Sequence, residues 1–196
     1  MTRDVDEYSP MKFENPPSGC VAGSVLAAVP DLKDPNFHQT LIYIAEHNDQ
    51  GAFGLVMNRP LGKALSEVAS IPKLPEALAG VRVFFGGPVH PQNLLLAMFV
   101  RGGADDELAC RLDVSLDEAK EIVDSGSGWV RAFSGYSGWG EGQLDGELAQ
   151  NAWKIIAADP ILFEEKYAQG LWSVFVSDDE RWRPLLKHLP DDPALN

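Results

Sequence analysis

The sequence predicts an α+β fold, a single domain with a mostly antiparallel or mixed sheet flanked by short helices. Three observations lead there. Short apolar runs rich in β-branched and aromatic residues recur at 23–29 (GSVLAAV), 41–45 (LIYIA), 52–57 (AFGLVM), 81–85 (VRVFF), 94–100 (LLLAMFV) and 129–134 (WVRAFS); they lack helical spacing and read as strands. The second and third are joined by His47-Asn48-Asp49-Gln50-Gly51, a connection of turn residues that predicts an antiparallel hairpin. Strands and helical signals alternate irregularly, without the repeating strand–helix spacing of a doubly wound sheet.

Taken in order, residues 1–18 are polar, end in Pro16-Pro17 and read as a flexible N-terminal arm, leaving 19–196 as the domain. Pro30 and Pro35 make 30–37 a loop between the first two strands. After the hairpin, 65–69 is expected to form one or two helical turns with Leu65 and Val68 on one face, and Pro72 and Pro75 break the segment 71–80. The strand at 81–85 runs into Gly86-Gly87-Pro88, a turn suited to glycine. The run 94–100 reads as a central strand with 108–112 paired beside it. Ser115 and Glu118 form an S-x-x-E capping box that opens a helix bearing Leu116, Ala119, Ile122 and Val123, with Gly126 as its stop. The strand at 129–134 then delivers the chain into a glycine-aromatic stretch, 134–142 (SGYSGWGEG), read as an irregular loop. A short helix over 143–151 faces the core with Leu144 and Leu148, and 153–158 is the last main strand. The tail carries Trp172, Phe175 and Trp182 and a short helix around 183–189.

Composition bounds the function classes. At 196 residues a chain buries roughly 70% of its unfolded surface, enough for a core without metal or disulfide staples. Its 29 acidic against 16 basic residues give a net charge of −13. Phosphate neutralisation by Lys and Arg supplies most non-specific nucleic-acid affinity, so no direct nucleic-acid contact is expected, and an anionic membrane is equally disfavoured. Cys20 and Cys110 form no C-x-x-C pair, no apolar run approaches a membrane span, and 1–10 lack a secretory pattern. A cytoplasmic protein is expected.

Chemical motifs fail at named positions. No two of His38, His47, His90 and His188 sit at i,i+4 around an acid, so no metal is expected. Gly135-Tyr136-Ser137-Gly138-Trp139 resembles a nucleophile elbow, but Trp139 holds the second glycine position. Gly138-Trp139-Gly140 starts like a dinucleotide fingerprint, but Gln143 replaces its third glycine. Glu141, Asp145 and Glu147 crowd the start of the 143–151 helix and repel phosphate. A ligand at this loop would be a protein or a small neutral or cationic molecule, stacked on Tyr136 or Trp139. Arg59 is the cation expected to matter, paired with Glu147 or another acid, or holding a carboxylate.

These segments together resemble the YqgE/AlgH family. The match runs through Gly23 to Pro30, Asp31 with Phe37, Glu46-His47, Gly51-Ala52-Phe53-Gly54-Leu55-Val56-Met57-Asn58-Arg59-Pro60, and Phe85-Gly86-Gly87-Pro88-Val89. It continues through Gly135-Tyr136-Ser137-Gly138-Trp139, Gly142-Gln143-Leu144, Glu147, Asn151 and Trp153. The resemblance implies a bacterial, cytoplasmic, single-domain protein with a coiled, bifurcated sheet and helices; it implies neither an enzymatic activity nor a cofactor. A transcriptional role is attached to the family through its name. Where the family carries an Arg-Gly pair and a later His, this chain has 93–98 (NLLLAM).

The resulting expectation is a non-enzymatic binding or regulatory domain whose surface comprises Asn58, Arg59, Gly86, Gly87, Tyr136, Trp139, Gln143 and Glu147. One alternative is a hydrolase or transferase with His47 or Glu147 as base and Ser134 or Ser137 as nucleophile. A DNA-binding transcriptional regulator is the other.

Overall fold

The computed structural model describes residues 19–68, 71–102, 107–112 and 114–176. The arm expected over 1–18 and the helix expected around 183–189 lie outside the described residues. The chain opens with β1 (Ser24–Ala28), the hairpin β2 (Leu41–Asn48) and β3 (Gly51–Val56), and a short strand β4 (Pro60–Ala64). Two single-turn helices, α1 (Leu65–Val68) and α2 (Glu76–Ala79), precede β5 (Arg82–Phe85), the long β6 (Val89–Gly102) and β7 (Glu107–Arg111). Then come α3 (Leu116–Ser125), the long β8 (Gly128–Gly140), α4 (Gln143–Ala149) and β9 (Trp153–Ala157). Two 3-10 turns (Pro160–Phe163 and Glu165–Tyr167) lead into α5 (Ala168–Val176).

The strands form a nine-stranded mixed sheet ordered β4-β5-β8-β3-β2-β1-β9, with β6 joined to β8 and β7 to β6. Every ladder is antiparallel except β5 against β8. The sheet forks on β8. β3 pairs with it from Gly51↔Gly140 to Gly54↔Ser137, whereas β5 pairs with it at 132–134. Gly86 stands at the fork: its N–H donates to Ser134 O (2.9 Å) and its carbonyl accepts from Val56 N (3.0 Å).

Both faces of the sheet are covered, which is why its strands read as continuous apolar runs rather than alternating ones. Val25, Leu41, Tyr43, Leu55, Phe84, Phe99 and Phe133 point into one core, closed by Leu171 and Phe175 of α5. On the other face the fork separates two smaller cores. Leu26, Ile42, Ile44 and Val56 pack against Trp139, Leu144 and Trp153, while Val83 and Ala132 pack against Leu65, Leu78 and Ala119.

Several local expectations change. β8 is one strand through Gly140, so the stretch read as a loop is mostly strand, and only Glu141 and Gly142 turn. Leu65 is buried, whereas Val68, at the end of the single turn α1, is 39% exposed. His47 lies on β2 rather than in the hairpin turn, which is reduced to Asp49 and Gln50. The capping box forms as expected: Ser115 Oγ accepts from Glu118 N, Glu118 accepts from Ser115 N, and Gly126 ends α3 in the left-handed region.

Candidate functional site

The residues singled out in the sequence fall into two groups, one at the fork and one beside α4. At the fork, Asn58 is 7% exposed. Its Oδ1 accepts from Leu41 N (2.9 Å) and its Nδ2 donates to Gln39 O (2.9 Å), clamping the start of β2. Arg59 donates to Asn36 O (2.8 Å) and His38 O (2.7 Å) and lies 5.9 Å from the Phe85 ring centroid. Burial lowers its proton affinity, with Asp34 opposing the shift. It therefore bolts the 36–38 loop to the sheet and does not pair with Glu147.

Gly86 and Gly87 are buried against 134–137. A Cβ on Gly86 would lie 2.1 Å from Gly135 O, and one on Gly87 2.3 Å from Tyr136 C. Contact this close between backbones admits only glycine. Tyr136, half-buried, stacks on Phe53 with ring centroids 4.6 Å apart and leans on His90 at 6.1 Å.

Beside α4, Glu147 accepts from the indole N–H of both Trp139 (2.9 Å) and Trp153 (2.7 Å) through one oxygen. Its other oxygen accepts from Gln143 Nε2 (3.0 Å), and Gln143 Oε1 accepts from Gly140 N (3.1 Å). Trp139 is 5% exposed and stacks on Phe37 at 6.2 Å, so its ring is not free for a ligand. The helix spacing i,i+4 places Gln143 and Glu147 on one face, where both reach β8.

The nucleophile–base pairs do not assemble. Ser134 Oγ donates to Pro91 O, and Ser137 Oγ donates to Gly86 O (3.1 Å). His47, 6% exposed, accepts from Val21 N at Nδ1 (3.3 Å), so Nε2 carries the proton in the neutral ring; Nε2 faces Asp145 Oδ1 at 3.5 Å. Neither serine hydrogen-bonds to His47 or Glu147. Among the described residues, no group of three or more His, Cys, Asp or Glu side chains is placed to hold a metal ion.

Arg131 did not stand out in the sequence, yet it is the most buried cation of the described core at 4% exposure. It donates to Met57 O (3.0 Å) and Leu162 O (2.6 Å) and lies over the rings of Phe84 (3.9 Å) and Phe163 (4.9 Å). Burial lowers its pKa to about 9, against the pull of Glu165, which leaves it charged at neutral pH. A single arginine inside the apolar run 129–134 was the available signal, since a buried cation demands partners.

A groove of about 320 Å³ opens beside the fork, lined by Leu61 and Lys63 of β4, Val68 of α1, Val83 of β5, Gln92, Asn93 and Leu94 of β6, and Ser134 of β8. Leu61 (45%), Val68 (39%) and Leu94 (36%) are three of the five exposed large apolar side chains among the described residues. Among the described residues no helix is long and apolar enough to cross a membrane.

A forked mixed sheet whose branches are locked by glycine contacts and an indole–carboxylate clamp defines an α+β protein in which the prominent motif residues hold the architecture. The chain belongs to the AlgH-like family, whose model matches residues 25–193. It is 33% identical over 189 residues to a UPF0301 protein of Streptomyces coelicolor, covering 90% of this chain and 95% of that one. A UPF0301 protein of Azoarcus is 42% identical over 142 residues, covering 68% of this chain and 76% of its own. Among solved structures, the solution structure of the AlgH protein from Pseudomonas aeruginosa superposes with a TM-score of 0.60 at 32% identity, over 92% of this chain and 98% of that one. A crystal structure from Corynebacterium diphtheriae, 24% identical with a TM-score of 0.56 over 78% of this chain and 81% of its own, shares the fold.

Proposed function

We propose that this chain is a non-catalytic binding module, acting in the cytoplasm, whose ligand site is the groove beside the fork. One observation carries the reading. The polar side chains an enzyme would use are committed to internal partners: Asn58, Arg59, Ser134 and Ser137 to backbone groups, and Gln143 and Glu147 to each other, Gly140 and two indoles. The groove next to them combines exposed apolar side chains with a few polar ones, the make-up of ligand sites generally. The unpaired Cys20 and Cys110 support the reducing compartment. The net charge of −13 weighs against duplex DNA as the ligand.

The test pairs binding with turnover. Isotope-labelled full-length protein is screened by NMR against a small-molecule library, and ester and amide substrates are assayed in parallel. The expected result is ligand-induced shifts centred on Leu61, Lys63, Val68, Leu94 and Ser134, without turnover. Hydrolysis that disappears in Ser134→Ala or Ser137→Ala would overturn the reading.

A further inference from the structure

We infer that the groove between β4 and β6 binds a small organic carboxylate with an apolar body. This rests on the binding-module reading and deepens it by naming the ligand's chemistry.

The groove continues the part of the sheet face that α1–α3 cover. Val83 and Ala132 are buried beneath α1–α3, whereas Leu61, Val68 and Leu94 remain open where that helical layer ends. Exposed apolar side chains gathered around one concavity mark a contact site more strongly than scattered ones do.

Both walls of the groove are irregular strand. The register of β4 shifts between Pro60 and Lys63, with Gly62 at φ 69°, and that of β6 shifts between Val89 and Leu94. Bulges re-aim side chains and recur beside functional sites. Here they bring Leu61 and Lys63 to one side and Gln92, Asn93 and Leu94 to the other. The Ser134 hydroxyl fixes the β6 irregularity by donating to Pro91 O.

Charge selects the ligand's sign. Among the described residues of the lining Lys63 is the only ionisable one, and it forms no ion pair with a described residue. Its neighbours are already engaged. Arg82, next to Lys63 across the ladder at Ala64, is held bidentately by Glu165 at 2.8 and 2.9 Å, and Glu67 accepts from Ala64 N. On a chain of net charge −13, a concavity that carries an ammonium and, among its described lining residues, no acid favours an anion. One lysine supplies a single positive charge, which balances a monoanionic carboxylate but leaves a dianionic phosphate half-neutralised. The amides of Gln92 and Asn93 supply further donors, and the apolar walls take the ligand's body. At about 320 Å³ the space suits a small ligand.

The experiment titrates isotope-labelled full-length protein with sodium hexanoate, hexanol and hexylammonium, followed by amide shifts, with Lys63→Gln as the variant. Hexanoate is expected to give saturable shifts at Leu61, Lys63, Val68 and Leu94, with a Kd at least about tenfold below that of hexylammonium, since opposite charges at the same site invert the Coulomb term. Lys63→Gln is expected to weaken hexanoate about fivefold or more without moving the melting temperature, because Lys63 is exposed. Equal affinity for all three probes, or an unchanged hexanoate affinity in Lys63→Gln, overturns the carboxylate assignment and leaves the binding-module reading standing. Shifts confined to residues outside the groove overturn the site. Substrate turnover in the parallel assay would overturn the underlying reading instead.

Discussion

Glu147 does the work of three residues. Its two oxygens satisfy Trp139, Trp153 and Gln143 at once, tying β8, α4 and β9 together. Both tryptophans are 5% exposed, so removing the acceptor strands two largely buried N–H groups. Each such orphan costs about 1–3 kcal/mol. Glu147→Ala is therefore expected to destabilise by about 2–5 kcal/mol, read by urea denaturation followed through tryptophan fluorescence. Glu147→Gln, which keeps one acceptor oxygen, should lose less. Glycines divide just as sharply. Gly135 has φ 69°, and a Cβ there would lie 2.6 Å from Gly87 O and 2.7 Å from Val89 O. Gly135→Ala should cost at least about 3 kcal/mol in thermal or chemical denaturation, because backbone on both sides must move. Gly146 lies inside α4 with nothing within 4 Å of its Cβ position. Gly146→Ala should instead stabilise by about 0.5–1 kcal/mol in the same assay.

At the scale of elements, α3 carries a titration that can be followed alone. The Ser115 backbone and hydroxyl, with Arg111, hold the Glu118 carboxyl down at about 2. A folded pKa below the unfolded one means that the stabilisation is complete above the usual carboxylate range near 4.3 and fades as pH falls through 2. NMR titration of the Glu118 carboxyl carbon should show this low midpoint, and Ser115→Ala should raise it toward the ordinary value. The S-x-x-E spacing made this helix fully readable in advance, because capping chemistry is local. β8 was half readable for the opposite reason. Gly135, Gly138 and Gly140 looked like loop residues, but at Gly135 the glycine admits the crossing backbone of 87–91, a contact fixed by residues some forty positions away. β4 was hidden by Pro60 and Gly62, which an edge strand tolerates and a central one does not. The site shows the same split. Its motif residues could be picked out by type, but only packing shows that Asn58, Arg59 and Glu147 are committed to partners within the fold, and Lys63 had no local signature at all.

For the molecule as a whole, Arg131 is the pin through the centre. From β8 it reaches Met57 O, beyond the end of β3, and Leu162 O in the segment after β9, clasped by Phe84 and Phe163. Arg131→Lys keeps the charge but loses the planar fork and the stacking, and should cost roughly 2 kcal/mol. Arg131→Met should cost comparably through the two orphaned carbonyls. Both are measured as shifts in urea midpoint at constant slope. A slope that falls markedly would reveal that the C-terminal segment has detached while the sheet stays folded.

The pairing of β1 with β9 carries a consequence for how the chain is made. Ser24 meets Ala157 and Ala28 meets Trp153, so the first strand described waits for the last one. Until the ribosome has delivered β9, β1 shows an open row of amides and carbonyls, and Val25 to Ala28, fully buried in the finished sheet, lack part of their cover. An uncapped apolar edge is a template for pairing with another chain. The nascent protein is thus most exposed to misassembly late in its own synthesis, and β9 acts as the closure that ends that interval.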